Sequence, residues 1–194
     1  MSCLRLYGLQ DMSLISMKQH MDMLRAIAGR TRLPIVADID TGYGNAISVI
    51  HTITDERAGA NAVMSGEAAI TARSDPDFLV IARTEAFIAS LGEAEAHAYA
   101  EAGADMILIH SKRASPSEIE SFSRAWTGAV PLVIVPNAYP DLESKRVKNV
   151  GNISMMIFGS YGIRAAATAM QETSRRIIAD GGVQNVYKGY SAGG

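Results

Sequence analysis

Hydrophobic residues fall into short blocks separated by longer amphipathic stretches. Five blocks stand out: Leu33 to Ile39, Phe78 to Ala82, Met106 to Ile109, Pro131 to Val135 and Ile153 to Phe158. A weaker sixth runs from Asn61 to Met64. Each is short, rich in Val or Ile, and not strictly alternating, as strands covered on both faces are. Between them apolar residues recur at helical spacing. Met17, Met21, Leu24 and Ala28 mark a helix over Ser16 to Ala28. Ala46 to Ala58, Glu93 to Ala102, Pro116 to Trp126 and Arg164 to Ala179 read the same way. Ser115-Pro116 followed by Glu118 predicts a helix start. The runs RAGAN (57–61) and EAGAD (101–105) predict helix ends closed by a glycine just before a strand. Regular alternation of strand and helix predicts an α/β fold of parallel βαβ units. It is expected to form one domain over residues 1–188, followed by a flexible Gly-rich tail over 189–194.

Composition narrows the setting. The chain has 194 residues, 48% of them hydrophobic, and a net charge of −2. That length buries roughly 70% of its unfolded surface, enough for one well-cored domain. The near-neutral balance gives no reason to expect a nucleic-acid partner. No apolar run approaches the roughly 20 residues of a membrane span, and the N-terminus lacks a signal-peptide pattern, so a cytoplasmic protein is expected. The single cysteine, Cys3, excludes an internal disulfide and a thiolate metal cluster.

In parallel α/β folds the chemistry sits where strands end. Asp38 and Asp40 follow the first apolar run, then Thr41, Gly42, Tyr43, Gly44 and Asn45. Arg83 and Glu85 follow the next strong run. His110, Ser111 and Lys112 follow MILI; Pro136 and Asn137 follow LVIV; Gly159, Ser160 and Tyr161 follow MMIF. The convergence is the signal. Asp38 and Asp40 leave a strand end on the same face. Paired carboxylates repel unless a cation lies between them, and hard oxygen donors point to Mg2+ or Mn2+. The same aspartates could instead cap a helix or order the Gly-Tyr-Gly turn. Arg83 suits a bidentate grip on a carboxylate or phosphonyl group, or an ion pair with Glu85, Asp38 or Asp40. His110 suits metal ligation, acid–base work or an oxyanion contact, or a purely structural place. His20, His51 and His97 are expected on helix surfaces, the ten methionines in the core, and Trp126 packed at a helix end. Lys112-Arg113 reads as a solvated basic step or as an extension of the cationic side of the site.

These segments resemble a known family. ADIDTGYGNA (37–46), DPDFLVIARTEAFIASLG (75–92), EAGADMILIHSK (101–112) and PLVIVPNAYPDL (131–142) are similar to the isocitrate lyase/phosphoenolpyruvate mutase superfamily. The His-Ser-Lys and VPxxYP signals favour its phosphoenolpyruvate mutase and phosphonopyruvate hydrolase branch. The resemblance runs from about Tyr7 to Val186. It implies a TIM-type (β/α)8 barrel that binds Mg2+ and small 2-oxo acids. It implies Asp38 as direct Mg2+ ligand and Asp40 as holder of metal-bound waters. Arg83 and His110 would bind phosphonyl or phosphoryl oxygens, Asp11 would stand near the reacting group, and Gly42, Tyr43, Gly44 and Asn45 would shape the loop beside the metal.

A complete barrel of this type usually takes about 250 residues, so this one is expected to be incomplete, with about six recognisable strands. The family's early strand upstream of Tyr7 is expected to lack a counterpart. After Met64 the family continues with Glu-Asp-Lys and a gating loop, whereas this chain goes to Ser65, Gly66, Glu67 and Ala68. The family's terminal helix is not evident after Val186. The implied activity is Mg2+-dependent P–C bond chemistry on phosphonopyruvate or phosphoenolpyruvate, as mutase or hydrolase. The alternatives are C–C cleavage or decarboxylation of a 2-oxo or hydroxy acid, and a non-catalytic homologue that binds metal and small acids. A homo-oligomer, dimer or tetramer, is expected.

Overall fold

The computed structural model describes residues 16–39, 55–65, 70, 73–84, 92–111 and 113–187. Its first helix, α1 (Met17–Ala28), opens on a capping box: Gln19 N–H donates to Ser16 Oγ, and the Gln19 side chain accepts from Ser16 N–H. Six strands follow: β1 (Val36–Asp38), β2 (Ala62–Ser65), β3 (Leu79–Thr84), β4 (Met106–Ile109), β5 (Leu132–Ile134) and β6 (Ile153–Met156). All pair in parallel and in chain order, β1 through β6. Helices α2 (Gly92–Glu101), α3 (Ser117–Ala125) and α4 (Ser144–Val150) connect the last four strands. Sequential parallel pairing, through helical crossovers between the last four strands, is the order of a TIM-type α/β fold; among the described residues it comprises six strands where a closed ring has eight.

Both faces of the sheet's inner strands, β2 to β5, carry buried residues, as the unbroken apolar runs predict. Val63, Val80, Ala82, Ile107, Ile109, Leu132 and Ile134 face the helices and pack with Met21, Leu24, Ile119 and Trp126. The alternate residues Met64, Ile81, Met106, Leu108 and Val133 form a second cluster on the other face. Ile81, Ile107 and Ile109 are fully buried, each contributing about 1.5–3 kcal/mol by removal from water.

The two glycine-closed helix ends take the form the sequence predicts. Gly59 (φ +99°) and Gly103 (φ +100°) both lie in the left-handed region. Gly59 also sits so close to α1 that a Cβ would lie 2.9 Å from the Ala28 Cβ. Trp126 caps the end of α3, buried, stacking on His97 and Phe122 and donating from Nε1 to Val130 O at 2.9 Å.

Five readings change. Met170, expected in the core with the other methionines, is exposed. His20, expected at the surface, is 6% exposed, its Nε2 3.4 Å from Asp55 Oδ1 in an equally buried pair. His97 is half-buried, its ring 4.6 Å from that of Trp126. Pro116 takes the cap position of α3 rather than its first turn, and Ser117 N–H donates to Ser115 Oγ. Helix α4 and a 3-10 turn at Pro136–Ala138 are additions that the apolar pattern does not announce. Most of the 46–58 helix, His51 and the 189–194 tail lie outside the described residues.

Chain contacts group residues through Ile157 into one compact unit and those from Phe158 into a second. The second consists of α5 (Tyr161–Asp180), whose final turn closes on Gly181 (φ +62°) with its N–H bonded to Ile177 O, and α6 (Gln184–Tyr187). No helix among the described residues is long and apolar enough to cross a membrane.

Candidate active site

Strand periodicity carries three predicted residues onto one face. Ile81 belongs to the second cluster, so Arg83, two residues on, leaves β3 on the same face. Met106 and Leu108 do the same on β4, and His110 follows in step. Asp38 pairs in register with Met64, Met64 with Ile81, and Ile81 with Met106, so Asp38 ends β1 on that face too. Arg83 is in register with Leu108. With strands about 4.8 Å apart and about 3.3 Å per residue, the Arg83 and His110 backbones lie about 8 Å apart. An arginine side chain spans that gap.

Asp38 is exposed at the strand end, whereas Arg83 and His110 are half-buried. The His110 Nδ1 atom is buried without a hydrogen-bond partner among the described residues. Asp11, Asp40, Gly42, Tyr43, Gly44, Asn45, Glu85 and Lys112 lie outside the described residues. Pro136 and Asn137 open the 3-10 turn after β5, and Gly159, Ser160 and Tyr161 lie in the second unit.

Among the described residues, no group of three or more His, Cys, Asp or Glu side chains converges as a self-sufficient metal cage. Mg2+ does not require one. It characteristically takes one or two carboxylates and fills its octahedron with waters and substrate oxygens. The Asp38 carboxylate, hard, anionic and open to solvent, fits one such ligand.

Sequence reasoning named Ser111 and Glu118 without pairing them, and passed over Thr84, Glu95 and Tyr99, which lie behind these side chains. Thr84, next to Arg83 and fully buried, donates its hydroxyl to Glu95 Oε2 at 2.5 Å, and Tyr99 OH donates to Glu95 Oε1 at 3.1 Å. Ser111, next to His110, donates its hydroxyl to Glu118 in a short hydrogen bond. In both of these strand–helix connections a hydroxyl just after the candidate residue is tied to a glutamate in the first turn of the next helix. A Ser or Thr directly following a strand-end candidate, with a Glu soon after, is the signal that would have found them.

Residues 58–178 match the phosphoenolpyruvate phosphomutase family. The chain is 41% identical over 213 residues to phosphonopyruvate hydrolase of Variovorax sp. (strain Pal2), covering 93% of this chain and 73% of that protein. It is 34% identical over 212 residues to phosphoenolpyruvate phosphomutase of Tetrahymena pyriformis, covering 92% of this chain and 70% of that one. Among solved structures, a phosphonopyruvate hydrolase complex with oxalate and Mg2+ superposes with a TM-score of 0.90 at 40% identity. That match covers 97% of this chain and 76% of the other. The chain belongs to the phosphoenolpyruvate mutase family of enzymes.

Proposed function

We propose that this chain breaks the P–C bond of phosphonopyruvate in a Mg2+-dependent reaction, as a hydrolase or as a mutase. The observation that carries the reading is the convergence of Asp38, Arg83 and His110 on one face at the strand ends. The similarity to phosphonopyruvate hydrolase supports it.

Asp38 and Asp40 would hold Mg2+. Bound there, the ion would supply Lewis-acid stabilisation of the charge that develops on the pyruvate fragment as the P–C bond breaks. Arg83 presents a planar fork of N–H donors that matches two phosphonyl oxygens at once. His110 adds a donor from the adjacent strand, so the pair compensates charge on the transferring group. Asp11 would stand near the reacting group, and Gly42 to Asn45 would shape the loop beside the metal. In a hydrolase water receives the phosphoryl group, giving phosphate and pyruvate. In a mutase the group is delivered to the pyruvate oxygen, giving phosphoenolpyruvate.

The test is 31P NMR of phosphonopyruvate incubated with the protein and Mg2+. Growth of a phosphate signal identifies a hydrolase, and growth of a phosphoenolpyruvate signal a mutase. No conversion by folded protein overturns the proposal.

A further inference from the structure

We propose that Tyr139, acting with Ser111 and Glu118, is a positioning device that aims His110 at the substrate; the inference rests on the anion-binding role given to His110 above. A histidine that must present one face to a ligand is usually oriented by a hydrogen bond to its other nitrogen. His110 lacks that hold at Nδ1, which is buried and has no partner among the described residues. Among the described residues, what fixes the ring is the backbone that carries it.

That backbone is tied down from two directions immediately after His110. From the β5 side, Tyr139 closes the 3-10 turn, its N–H bonded to Pro136 O at 2.9 Å. Its ring is buried in the core at 4% exposure. Its hydroxyl proton is shared between two carbonyls, Ser111 O at 3.1 Å and Arg113 O at 3.0 Å. From the α3 side, the Glu118 carboxylate accepts the Ser111 hydroxyl proton and, at 3.3 Å, Arg113 Nε–H. Arg113 N–H returns to Ser111 Oγ at 3.2 Å. Ser111 is thus held at its side chain and its carbonyl, one residue beyond His110.

The arrangement is more than the sheet requires. β4 and β5 are already laddered together as far as Ile109 and Ile134, and a phenylalanine would fill the same core volume. A buried phenol is costly unless its hydroxyl finds acceptors. The acceptors it finds belong to the loop that follows the candidate histidine, not to the sheet.

Tyr139→Phe removes the hydroxyl and keeps the ring. With phosphonopyruvate and Mg2+ it should lower kcat and kcat/KM together by about tenfold, with KM unchanged, because misaiming weakens an interaction made in the transition state. Mg2+ affinity measured by calorimetry should not change. In a His110→Ala background the same substitution should cost less than twofold, since no ring remains to be aimed. Should Tyr139→Phe not fold, Ser111→Ala runs the same cycle. The proposal is overturned if Tyr139→Phe changes kcat by less than twofold, or if its effect is equal with and without His110. Failure of the underlying reading shows separately: His110→Ala would then leave turnover at the wild-type level, or the wild-type protein would show none.

Discussion

The buried pair between α1 and the helical turn at 55–57 is a demanding test of the packing. His20 and Asp55 have side chains 7% and 1% exposed, with Nε2 and Oδ1 3.4 Å apart. When His20 carries its proton, unit charges at that distance attract by about 5 kcal/mol at an effective dielectric of about 20. Desolvation of both ends offsets much of this. The asymmetry lies in what one deletion leaves behind. Neither Asp55 oxygen has a hydrogen-bond partner among the described residues, so His20→Leu strands a buried carboxylate. The expected cost is about 3–5 kcal/mol. At about 2–4 °C per kcal/mol for a chain of this size, Tm should fall by at least about 6 °C. Replacing both residues with leucine removes charge and counter-charge together and should cost far less than the sum of the two single changes. Urea unfolding of the two single variants and the double variant measures this directly. A loss under about 1 kcal/mol for His20→Leu, or purely additive effects, would refute the pair as a coupled unit.

Three further outcomes follow from the structure. Gly59→Ala forces a Cβ into a left-handed backbone and to 2.9 Å from Ala28 Cβ, so it should destabilise by more than about 1 kcal/mol in urea unfolding. Asn152, at φ +60°, donates its side-chain amide to Ser123 O and Trp126 O, ending α3. Asn152→Ala should therefore cost about 2 kcal/mol and Asn152→Gly distinctly less, because glycine tolerates the backbone while losing the same bonds. Arg83→Lys keeps the charge but loses the planar fork. Its kcat/KM for phosphonopyruvate should fall by at least about tenfold in steady-state assays.

The parts of this architecture legible in the sequence are those where one physical signal dominates. Val80 to Ala82 and MILI are buried on both faces, so their apolar runs could be read directly as strands of a parallel sheet. Gly59 and Gly103 mark helix ends because few other residues accept a positive φ. Arg83 and His110 could be placed because a period of two, extended past each run, fixes the face from which they leave.

What stayed hidden depends on contacts between distant segments. Helix α4, SKRVKNV, buries only Val147 and Val150 and is otherwise exposed and charged, so its apolar signal is weak. His20 lies on the stripe formed by Met17, Met21 and Leu24, three or four residues from each of the outer two. Its position argued for burial, but its partner Asp55 lies 35 residues away. Tyr139 stands within the VPNAYP stretch that carried the resemblance, yet its role depends on carbonyls 26 and 28 residues upstream. Periodicity carries no information about such pairs.

The most direct test of the central claim is phosphonopyruvate turnover measured against Mg2+ concentration in the wild-type protein and in Asp38→Asn. The account predicts saturable activation by Mg2+ in the wild type, loss of turnover with a chelator, and at least about a hundredfold drop in kcat/KM for Asp38→Asn. Turnover that is indifferent to Mg2+, or equal in the two proteins, would contradict it.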